Sequence, residues 1–493
     1  MTEDISPAIK ILESNYISNL NISSTQNIAL FVGEFEKGNI NEPVLITDIL
    51  QFKLAFGRAT ESNYNSWFQV YNYLIYPGAP KIWVCRVGAN STFASNNGNI
   101  ANSPGDWGNL LTVEIYNKSE YLNSNYLKEV FNFYEYSEIK EDYLVIIKRI
   151  EQIVETFNIS SVEDLNSLYI NNINLEHGIY KLNSGLTVPA RKEEYIEAFE
   201  IFTKEDYEID IVISAEEYNE VTIEFVESRK DCVAFLSIPR RYVQYLLVNT
   251  SLLTTEEEEL IVLKDYKLKN KLDETDYNNI KNYINSLKRS SYCFMSFGFK
   301  SQLDKFSDKR RIISSSGDLA GLKAAASSIN AWSTGAGLER GRLKEYSDIP
   351  MKIPKDKSDE LYKLGVNVVQ NGVLMSQKMF VDEHFNVDRM HQRNIFNYLE
   401  RKCEKLLRRY VFDLNELKLR GIIARELRLL LEDMMLSRGI EAGKVIVSTN
   451  NEQNIIINIY IKMINISEIV KIGLINTGVN SVNISSEIQI KGL

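Results

Sequence analysis

The alternation of apolar and polar positions is clearest in residues 480–493. The apolar members of this alternation are Val482, Ile484, Ile488 and Ile490. A period of two is typical of a half-buried strand. Two further strand-like runs precede it, at 455–461 and 469–475, and are predicted to form a complete strand pair. Because an unpaired strand edge exposes N–H and C=O groups, the last strand must pair. Two pairings are open: it closes this chain's own sheet, or it is a donor arm that completes a neighbour's sheet.

Strand-like and helix-like segments alternate through the first part of the chain. Short apolar runs predict strands at 28–32, 44–47, 81–87, 111–116, 209–214, 233–239 and 292–299. Helical patterns lie between several of them, for example at 48–56, 67–74 and 215–229. The alternation predicts an α/β domain. Since most of the runs lack a clean polar alternation, we expect strands covered on both faces.

Two polar segments interrupt this pattern. Residues 118–187 are poor in glycine and rich in Tyr, Asn and Glu, and a helix is predicted at 139–157. The second segment covers 254–290. We interpret both as insertions on the outside of the α/β unit.

The pattern becomes helical after about residue 389. One apolar stripe consists of Ile395, Leu399, Cys403, Leu406 and Tyr410, at the spacing of an amphipathic helix. A second helix is predicted at 421–437, followed by strands. Basic residues cover the side of the first helix opposite its stripe: Arg401, Lys405 and Arg408. This basic face is either a solvated surface, which a Glu404–Arg408 pair would favour, or a contact with an acidic partner.

Composition limits the class of protein. A chain of 493 residues predicts two or three domains, and 44% apolar with 25% charged residues is typical of soluble globular proteins. The net charge of −10 argues against general nucleic-acid binding. No run of about 18 apolar residues exists, so we expect no direct membrane insertion. The acidic residues 1–4 do not favour Sec-type export.

Candidate chemistry is sparse. The four scattered cysteines (Cys85, Cys232, Cys293 and Cys403) are predicted to be buried free thiols. Residues 439–444 resemble a phosphate-binding loop, but one residue is missing between the glycines, and Val445 stands where Ser or Thr would bind magnesium. We therefore predict no cofactor and no catalytic site.

One histidine pair is a possible metal site. His384, Asp388 and His391 would share a face if their segment were helical, but no fourth ligand is evident. A solvated polar cluster is the alternative, and we predict no metal. An enzyme stays open as a competing class, because acid–base pairs built from distant loops leave no local pattern.

A series of short motifs runs through the chain in a fixed order. It comprises Ser-Pro-Ala-Ile at 6–9, the run 25–33 ending in Phe-Val-Gly, Pro-Val-Leu-Ile-Thr at 43–47, Phe-Gly at 56–57, the segment 77–87, Pro-Gly-Asp-Trp-Gly-Asn at 104–109, Ser-Ser-Ser-Gly-Asp-Leu-Ala-Gly at 314–321, the glycines of 335–341, and Leu-Gly-Val-Asn at 364–367. In order and spacing this series resembles the contractile tail sheath proteins of phages and related injection systems. Ser314 and Ser315 replace the family's usual prolines, and the two polar segments match nothing in its pattern.

The resemblance implies a multidomain α+β or α/β fold. We expect an N-terminal arm at 1–25, a central α/β domain at 26–117 and 188–388 with a polar insertion at 254–290, and an outer insertion domain at 118–187. An inner C-terminal α/β domain would follow at 389–478 and a C-terminal donor arm at 479–493.

The resemblance also implies a structural role. The expected protein polymerises as a helical sleeve around a tail tube and contracts to drive the tube through the host envelope. Its partners would be other copies of itself, the tail tube protein, and the baseplate and tail terminator proteins. The expected location is the virion, after assembly in the host cytoplasm. A bacteriocin-like or other contractile injection particle is the alternative within this class.

Two sets of residues would carry the assembly. Exchangeable arm strands are expected at both ends of the chain, with Ile9, Ile11, Val482, Ile484, Ile488 and Ile490 on their apolar faces. Arg401, Lys405 and Arg408 are expected to face an acidic tube.

Overall fold

The computed structural model describes residues 27–78, 81–131, 141–204, 206–243, 272, 274–347, 349–350, 353–382, 387–449 and 454–464. The strands of this part are β1 (Ile28–Gly33), β2 (Pro43–Ile46), β3 (Lys81–Arg86), β4 (Ser95–Asn96), β5 (Asn99–Ala101), β6 (Leu111–Asn117), β7 (Tyr143–Arg149), β8 (Gln152–Ile159), β9 (Ile170–Asn172), β10 (Gly178–Lys181), β11 (Ile211–Ile213), β12 (Val233–Ser237), β13 (Cys293–Phe297), β14 (Phe299–Asp304), β15 (Lys309–Ser314), β16 (Val366–Gln370), β17 (Val373–Leu374), β18 (Ile440–Thr449) and β19 (Ile455–Met463).

Its α-helices lie between these strands. They are α1 (Ile49–Phe56), α2 (Tyr64–Leu74), α3 (Lys118–Asn123), α4 (Asn125–Val130), α5 (Lys192–Glu200), α6 (Asn219–Arg229), α7 (Glu274–Ser286), α8 (Ser316–Ser327), α9 (Lys355–Lys363), α10 (Met390–Leu407) and α11 (Leu417–Leu436).

An eight-stranded sheet forms the centre of the molecule, in the order β17-β16-β13-β12-β11-β1-β3-β2. Its six inner strands are parallel, and β17 and β2 add antiparallel edges. Successive residues of β1 enter two separate cores: Leu30 packs with α5, α6 and α7, whereas Phe31 packs with α1, α2 and α8. The predicted α/β domain with both sheet faces covered is therefore confirmed.

A smaller unit is built from two antiparallel sheets, β10-β6-β7-β8 and β4-β5-β9. Its core includes Trp107, Val113, Val145 and Ile147. Segment 118–187 thus shares its sheet with β6, which sequence reasoning had assigned to the central domain.

The prediction of a helix at 139–157 is wrong. Residues 143–159 form the hairpin β7–β8, whose turn uses Ile150 and Glu151 at positive φ (47° and 63°). The apolar positions 146, 150, 153 and 157 imitate a helical stripe. The β-branched run at 145–147 packs instead as the centre of a sheet, where branched side chains fit well.

The last described unit packs α10 and α11 against the hairpin β18–β19. Ile395, Leu399 and Cys403 of the predicted stripe are buried, and Leu406 and Tyr410 pack partly buried beside them. The strand that pairs with β19 is β18, which sequence reasoning had not predicted. Residues 469–475 and both arms lie outside the described residues.

Two further expectations concern burial and membranes. All four cysteines are buried free thiols, as predicted, and burial raises the pKa of Cys85 to about 12. Within the described ranges, none of the helices combines the length and apolar character that a bilayer crossing requires.

Candidate assembly surfaces

Arg401 on α10 joins this helix to the amino-terminal edge of the central sheet. Its guanidinium forms an ion pair with Asp210 and donates hydrogen bonds to the carbonyl oxygens of Ile209 (3.3 Å) and Asp231. Burial lowers the pKa of Arg401 to about 10, against the opposing effect of Glu208 and other carboxylates. Arg401 is therefore engaged inside its own chain.

Lys405 and Arg408 lie further along the same helix and are more open. Each side chain is 68% exposed. Lys405 Nζ is 2.7 Å from a carboxylate oxygen of Glu208, and Arg408 pairs with Glu404 at 2.9 Å. Exposed pairs of this kind contribute about 0–1 kcal/mol, so a partner surface could replace them at little cost.

The hairpin β18–β19 offers two long strand edges. The pairing runs from Ile440↔Met463 to Thr449↔Ile455, and no third strand pairs with it in the part of the chain that is described. One face, including Val445 and Ile459, packs towards α11. Ile446, Ile456 and Tyr460 lie on the other face and are 38–42% exposed. Long edges of this kind are templates for strand addition.

A second apolar stripe on α11 was missed by sequence reasoning. Ile422, Leu429 and Leu436 recur every seven residues and are 40%, 51% and 83% exposed. They lie on a different side of the helix from the buried residues Ile423 and Leu427. Surface helices are normally polar on that side. The seven-residue spacing could have identified the stripe, but the neighbouring core positions concealed it.

Three more large apolar residues lie close in sequence, in the connection from α10 to α11 and at the first position of α11. Phe412, Leu414 and Leu417 are 87%, 77% and 80% exposed. Where such exposed apolar groups form a contiguous patch, they are typical of surfaces that a partner covers.

The glycines at 317 and 321 allow α8 to lie directly on α2. A Cβ atom at Gly317 would come 2.8 Å from the Cα of Gln69, and one at Gly321 would come 2.8 Å from Cγ of Tyr76. Neither distance is possible for a real Cβ, so the Ser-Gly-Asp-Leu-Ala-Gly motif has a packing function.

The contact between α8 and α2 also fills the crevice in which open α/β sheets usually bind ligands. That crevice lies at the carboxyl ends of β1 and β11, where the strand order reverses. Here Gln69 Oε1 accepts hydrogen bonds from Gly317 N (2.6 Å) and Ser316 Oγ (2.9 Å), while Ser316 Oγ also contacts Ser214 O (3.2 Å). The amino end of α8 is thus capped by a side chain of the protein itself.

The Trp-Gly-Asn turn at 107–109 joins the smaller unit to the central domain. Lys37, from the loop after β1, has its Nζ 5.3 Å from the Trp107 ring centroid and 4.1 Å from that of Tyr169. Burial lowers the pKa of Lys37 to about 8. Arg149 also pairs with Glu36 at 2.5 Å. The joint therefore combines cation–π contacts with an ion pair.

The described residues do not form the phosphate-binding loop or the metal site that were considered from the sequence. Residues 440–449 are strand β18, so the segment resembling a phosphate loop is largely extended backbone. His391 is 5% exposed, which corrects the expected solvated cluster, and Asp388 pairs with Arg389 at 2.5 Å. His384 lies outside the described residues. No group of three or more His, Cys, Asp or Glu suited to a metal ion occurs in the described ranges.

Comparison with known sequences gives two phage relatives, while no family model matches the chain. It is 26% identical over 235 residues to the tail sheath protein of Vibrio phage KVP40, a match that covers 46% of this chain and 33% of that protein. It is 22% identical over 411 residues to the tail sheath protein of Enterobacteria phage T4, covering 72% and 60%. The resemblance to tail sheath proteins is confirmed. The chain spans less than two thirds of either relative's length.

Solved sheath structures share the fold. The sheath tail protein of Desulfitobacterium hafniense is similar with a TM-score of 0.58 at 10% identity, covering 92% of this chain and 99% of that one. The sheath tail protein of Listeria innocua gives 0.55 at 11%, covering 89% and 96%. The contracted helical sheath of the anti-feeding prophage gives 0.51 at 11%, covering 97% and 100%. The mixed α/β architecture is therefore that of sheath proteins.

Proposed function

We propose that the protein is a subunit of a contractile tail sheath and works by assembly rather than by catalysis. Subunits stack as a helical sleeve around a tail tube, and contraction of the sleeve drives the tube through the host cell envelope. The observation that carries this proposal is the likeness to tail sheath proteins in both sequence and fold.

Strand exchange connects the subunits in this proposal. The hairpin β18–β19 is the host sheet, and its edges accept arms from neighbouring copies. The apolar faces of the arms are those of Ile9 and Ile11 and of residues 482–490, which lie outside the described residues. A ten-residue strand spans ~33 Å, enough to join adjacent subunits. Roughly five added hydrogen bonds at ~0.5–1.5 kcal/mol each give several kcal/mol per joint.

The other surfaces are assigned by their chemistry. Lys405 and Arg408 face an acidic tube surface, whereas Arg401 chiefly holds α10 to the central sheet. The apolar stripe of α11 is covered by a neighbouring subunit. The unit around 118–187 faces outward, where its polar surface suits contacts that break and re-form between the two packings that contraction requires.

The wider assembly follows from the same role. The sleeve ends on a baseplate at one side and on a tail terminator at the other, is built in the host cytoplasm and becomes part of the virion. An injection particle without a capsid is the second candidate, supported by the likeness to the anti-feeding prophage sheath. Capsid genes beside this gene would favour the virion.

Negative-stain electron microscopy of the purified chain tests the proposal. We expect long hollow tubes from the full chain and none from a version truncated after Gly478. A sharper comparison changes two residues on each face of the arm: Ile484→Asp with Ile488→Asp, against Ser485→Asp with Gln489→Glu. Only the first pair disrupts an apolar strand face, so only that pair should abolish tubes.

Circular dichroism shows whether each variant still folds. Tubes from every variant would still support the sheath function. They would mean, however, that the last strand pairs within its own chain and not with a neighbouring subunit. Small uniform particles from the unchanged chain would contradict the sheath function itself.

A further inference from the structure

Helix α5 carries a stripe of carboxylates on its outer surface. Glu193, Glu197 and Glu200 are exposed and recur at the spacing of one helix face, with Ile196 between them at 36% exposure. Within the described ranges, Glu197 and Glu200 take part in no ion pair and no side-chain hydrogen bond. The stripe is therefore a helix face that nothing in this part of the chain covers.

Helix α6 extends this stripe. Glu220, Glu224 and Glu227 recur at the same spacing, and Lys192 at the start of α5 pairs with Glu220 at 3.4 Å, so the two helices lie side by side. Glu224 is exposed and has no such pair or hydrogen bond in the part of the chain that is described. Lys230 follows α6 as an exposed cation, but the carboxylates outnumber it. We call this surface the acidic face; its members are Glu193, Glu197, Glu200 and Glu224.

Cations without partners lie on the other side of the central sheet. They are exposed, and none of them has an ion pair or a side-chain hydrogen bond among the residues that the structure describes. Asp308 and Glu339 are exposed on the same surface, where cations are nevertheless in excess. We call this surface the basic face; its members are Lys53 on α1, Lys305 and Arg310 in the hairpin β14–β15, and Arg340 and Arg342 in the segment before α9.

Packing against α1 and α2 brings these segments to one surface. The centroid of the Phe306 ring in the hairpin turn lies 5.4 Å from that of Trp67 on α2, and Lys53 Nζ lies 5.5 Å from the Phe306 ring centroid. In the segment before α9, Glu345 accepts a hydrogen bond from Tyr71 Oη on α2 at 2.9 Å. The basic face therefore lies over the helices α1 and α2.

The central sheet separates the two faces. Leu30 of β1 packs on the side of α5, α6 and α7, and its neighbour Phe31 packs on the side of α1, α2 and α8. The acidic and basic faces of one chain therefore cannot contact each other. A two-fold contact would bring like charges together, which is unfavourable, whereas a head-to-tail contact brings opposite charges together. A head-to-tail contact that does not close into a ring builds a helical polymer.

We propose that the acidic face of one copy of this chain binds the basic face of a second copy, in a head-to-tail contact that repeats through the polymer. The opposite charges orient the two copies and steer their association. Ile196 on one face and Phe306, which is 41% exposed, on the other supply apolar surface within the charged contact. This inference rests on the proposed sheath function, because the sleeve is the polymer in which the contact repeats.

Reversing the charge on each face and then mixing the two variants tests the contact. Glu197→Lys with Glu200→Lys makes the acidic face basic, and Lys305→Glu with Arg310→Glu makes the basic face acidic. Each variant alone should form at least about tenfold fewer tubes than the unchanged chain in negative-stain electron microscopy, because like charges then meet. An equal mixture of the two variants should restore tubes, since each altered face meets its complement on the other variant.

Glu129→Lys with Glu163→Lys is the matched control. It makes the same change of charge at exposed positions of the smaller unit and should leave the number of tubes unchanged. Tubes in normal number from either reversed variant alone would overturn the contact and leave the sheath function standing. A mixture that does not recover would do the same, because it would show that the two faces do not meet each other.

Circular dichroism shows whether each variant folds. A pair that does not fold is replaced by a second pair from the same face, Glu193→Lys with Glu224→Lys or Arg340→Glu with Arg342→Glu. If the unchanged chain forms no tubes, the sheath function fails, and sedimentation velocity of the mixture then tests the contact separately. Complexes that form only in the mixture would support the contact, and subunits that stay separate would overturn it.

Discussion

Lys300 and Asp318 form an ion pair in which both side chains are completely buried, with Nζ 3.0 Å from the carboxylate. Tyr76 donates to Asp318 Oδ1 at 2.9 Å, and Lys300 also donates to the carbonyl oxygen of Lys344 at 2.8 Å. Burial raises the pKa of Asp318 and lowers the pKa of Lys300, while their mutual attraction opposes both shifts. The pair connects β14, α8 and the end of α2 in one polar network.

Removing one member of this pair should destabilise the subunit strongly. Lys300→Met leaves a buried carboxylate without its cation, and we expect a loss of about 3–5 kcal/mol in the free energy of unfolding. The double variant Lys300→Met with Asp318→Leu should recover most of that loss. Urea unfolding of free subunits measures both. Lys309→Met, at a side chain that is 57% exposed, is the control. A single variant as stable as the parent would show that the pair is not needed.

Substitution by alanine should have opposite effects at two helical glycines, because Gly317 lies in the close contact of α8 with α2 and Gly421 has open space around it. Gly317→Ala places a methyl group against the backbone of Gln69 and should cost about 1–3 kcal/mol. Gly421→Ala on α11 meets nothing within 4 Å and should stabilise by up to about 1 kcal/mol. Melting temperatures of the two variants test this. A neutral Gly317→Ala would mean that the helices can separate freely.

The three basic residues of α10 should have different roles. Arg401 should stabilise the subunit, whereas Lys405 and Arg408 should contribute to assembly. Arg401→Ala leaves Asp210 unpaired in a largely buried position and should destabilise by about 3 kcal/mol. Arg408→Ala should change stability by less than about 0.5 kcal/mol, since its pair is exposed. Thermal unfolding of free subunits distinguishes the two.

Charge reversal tests the tube contact separately. Lys405→Glu with Arg408→Glu should keep the subunit folded yet prevent an ordered sleeve from forming on purified tail tubes, as seen by electron microscopy. Tubes that are decorated as well by this variant as by the parent would rule out the contact.

Stability in acid should depend on Glu61. Hydrogen bonds from Arg311 and Lys309 lower the pKa of Glu61 from 4.5 to about 2. Because the pKa is lower in the folded state, the contribution of Glu61 is complete above about pH 4.5 and is lost as the pH falls towards 2. Glu61→Gln should flatten the decline of the urea midpoint in this range. The side chain is 63% exposed, so solvent reduces the effect. Glu163→Gln at an exposed position should leave the slope unchanged.

Several elements follow from local sequence alone. The run that became β1, the helix α1 and the stripe of α10 were all predicted, because burial on a strand or helix repeats with the period of that element. The four buried cysteines follow from the apolar runs that surround them. The order of the short motifs was sufficient to indicate the family.

Other features depended on contacts between distant segments. The hairpin β7–β8 replaced a predicted helix because its apolar spacing suits both structures, and only the sheet it joins decides between them. Arg401 was predicted to face a partner, but Asp210 lies 191 positions away in the chain and no local pattern connects the two.

The glycine motif shows the same division between local sequence and tertiary contacts. The sequence showed only that Gly317 belongs to a short motif. The tertiary structure showed that the backbone of α2 at Gln69 leaves no room for a side chain at position 317. Hydrophobic period and composition are local properties of the chain, so the sequence alone determined elements such as β1, α1 and α10. Burial, charge pairing and close approach belong to segments that meet only in three dimensions, so the fold decided them.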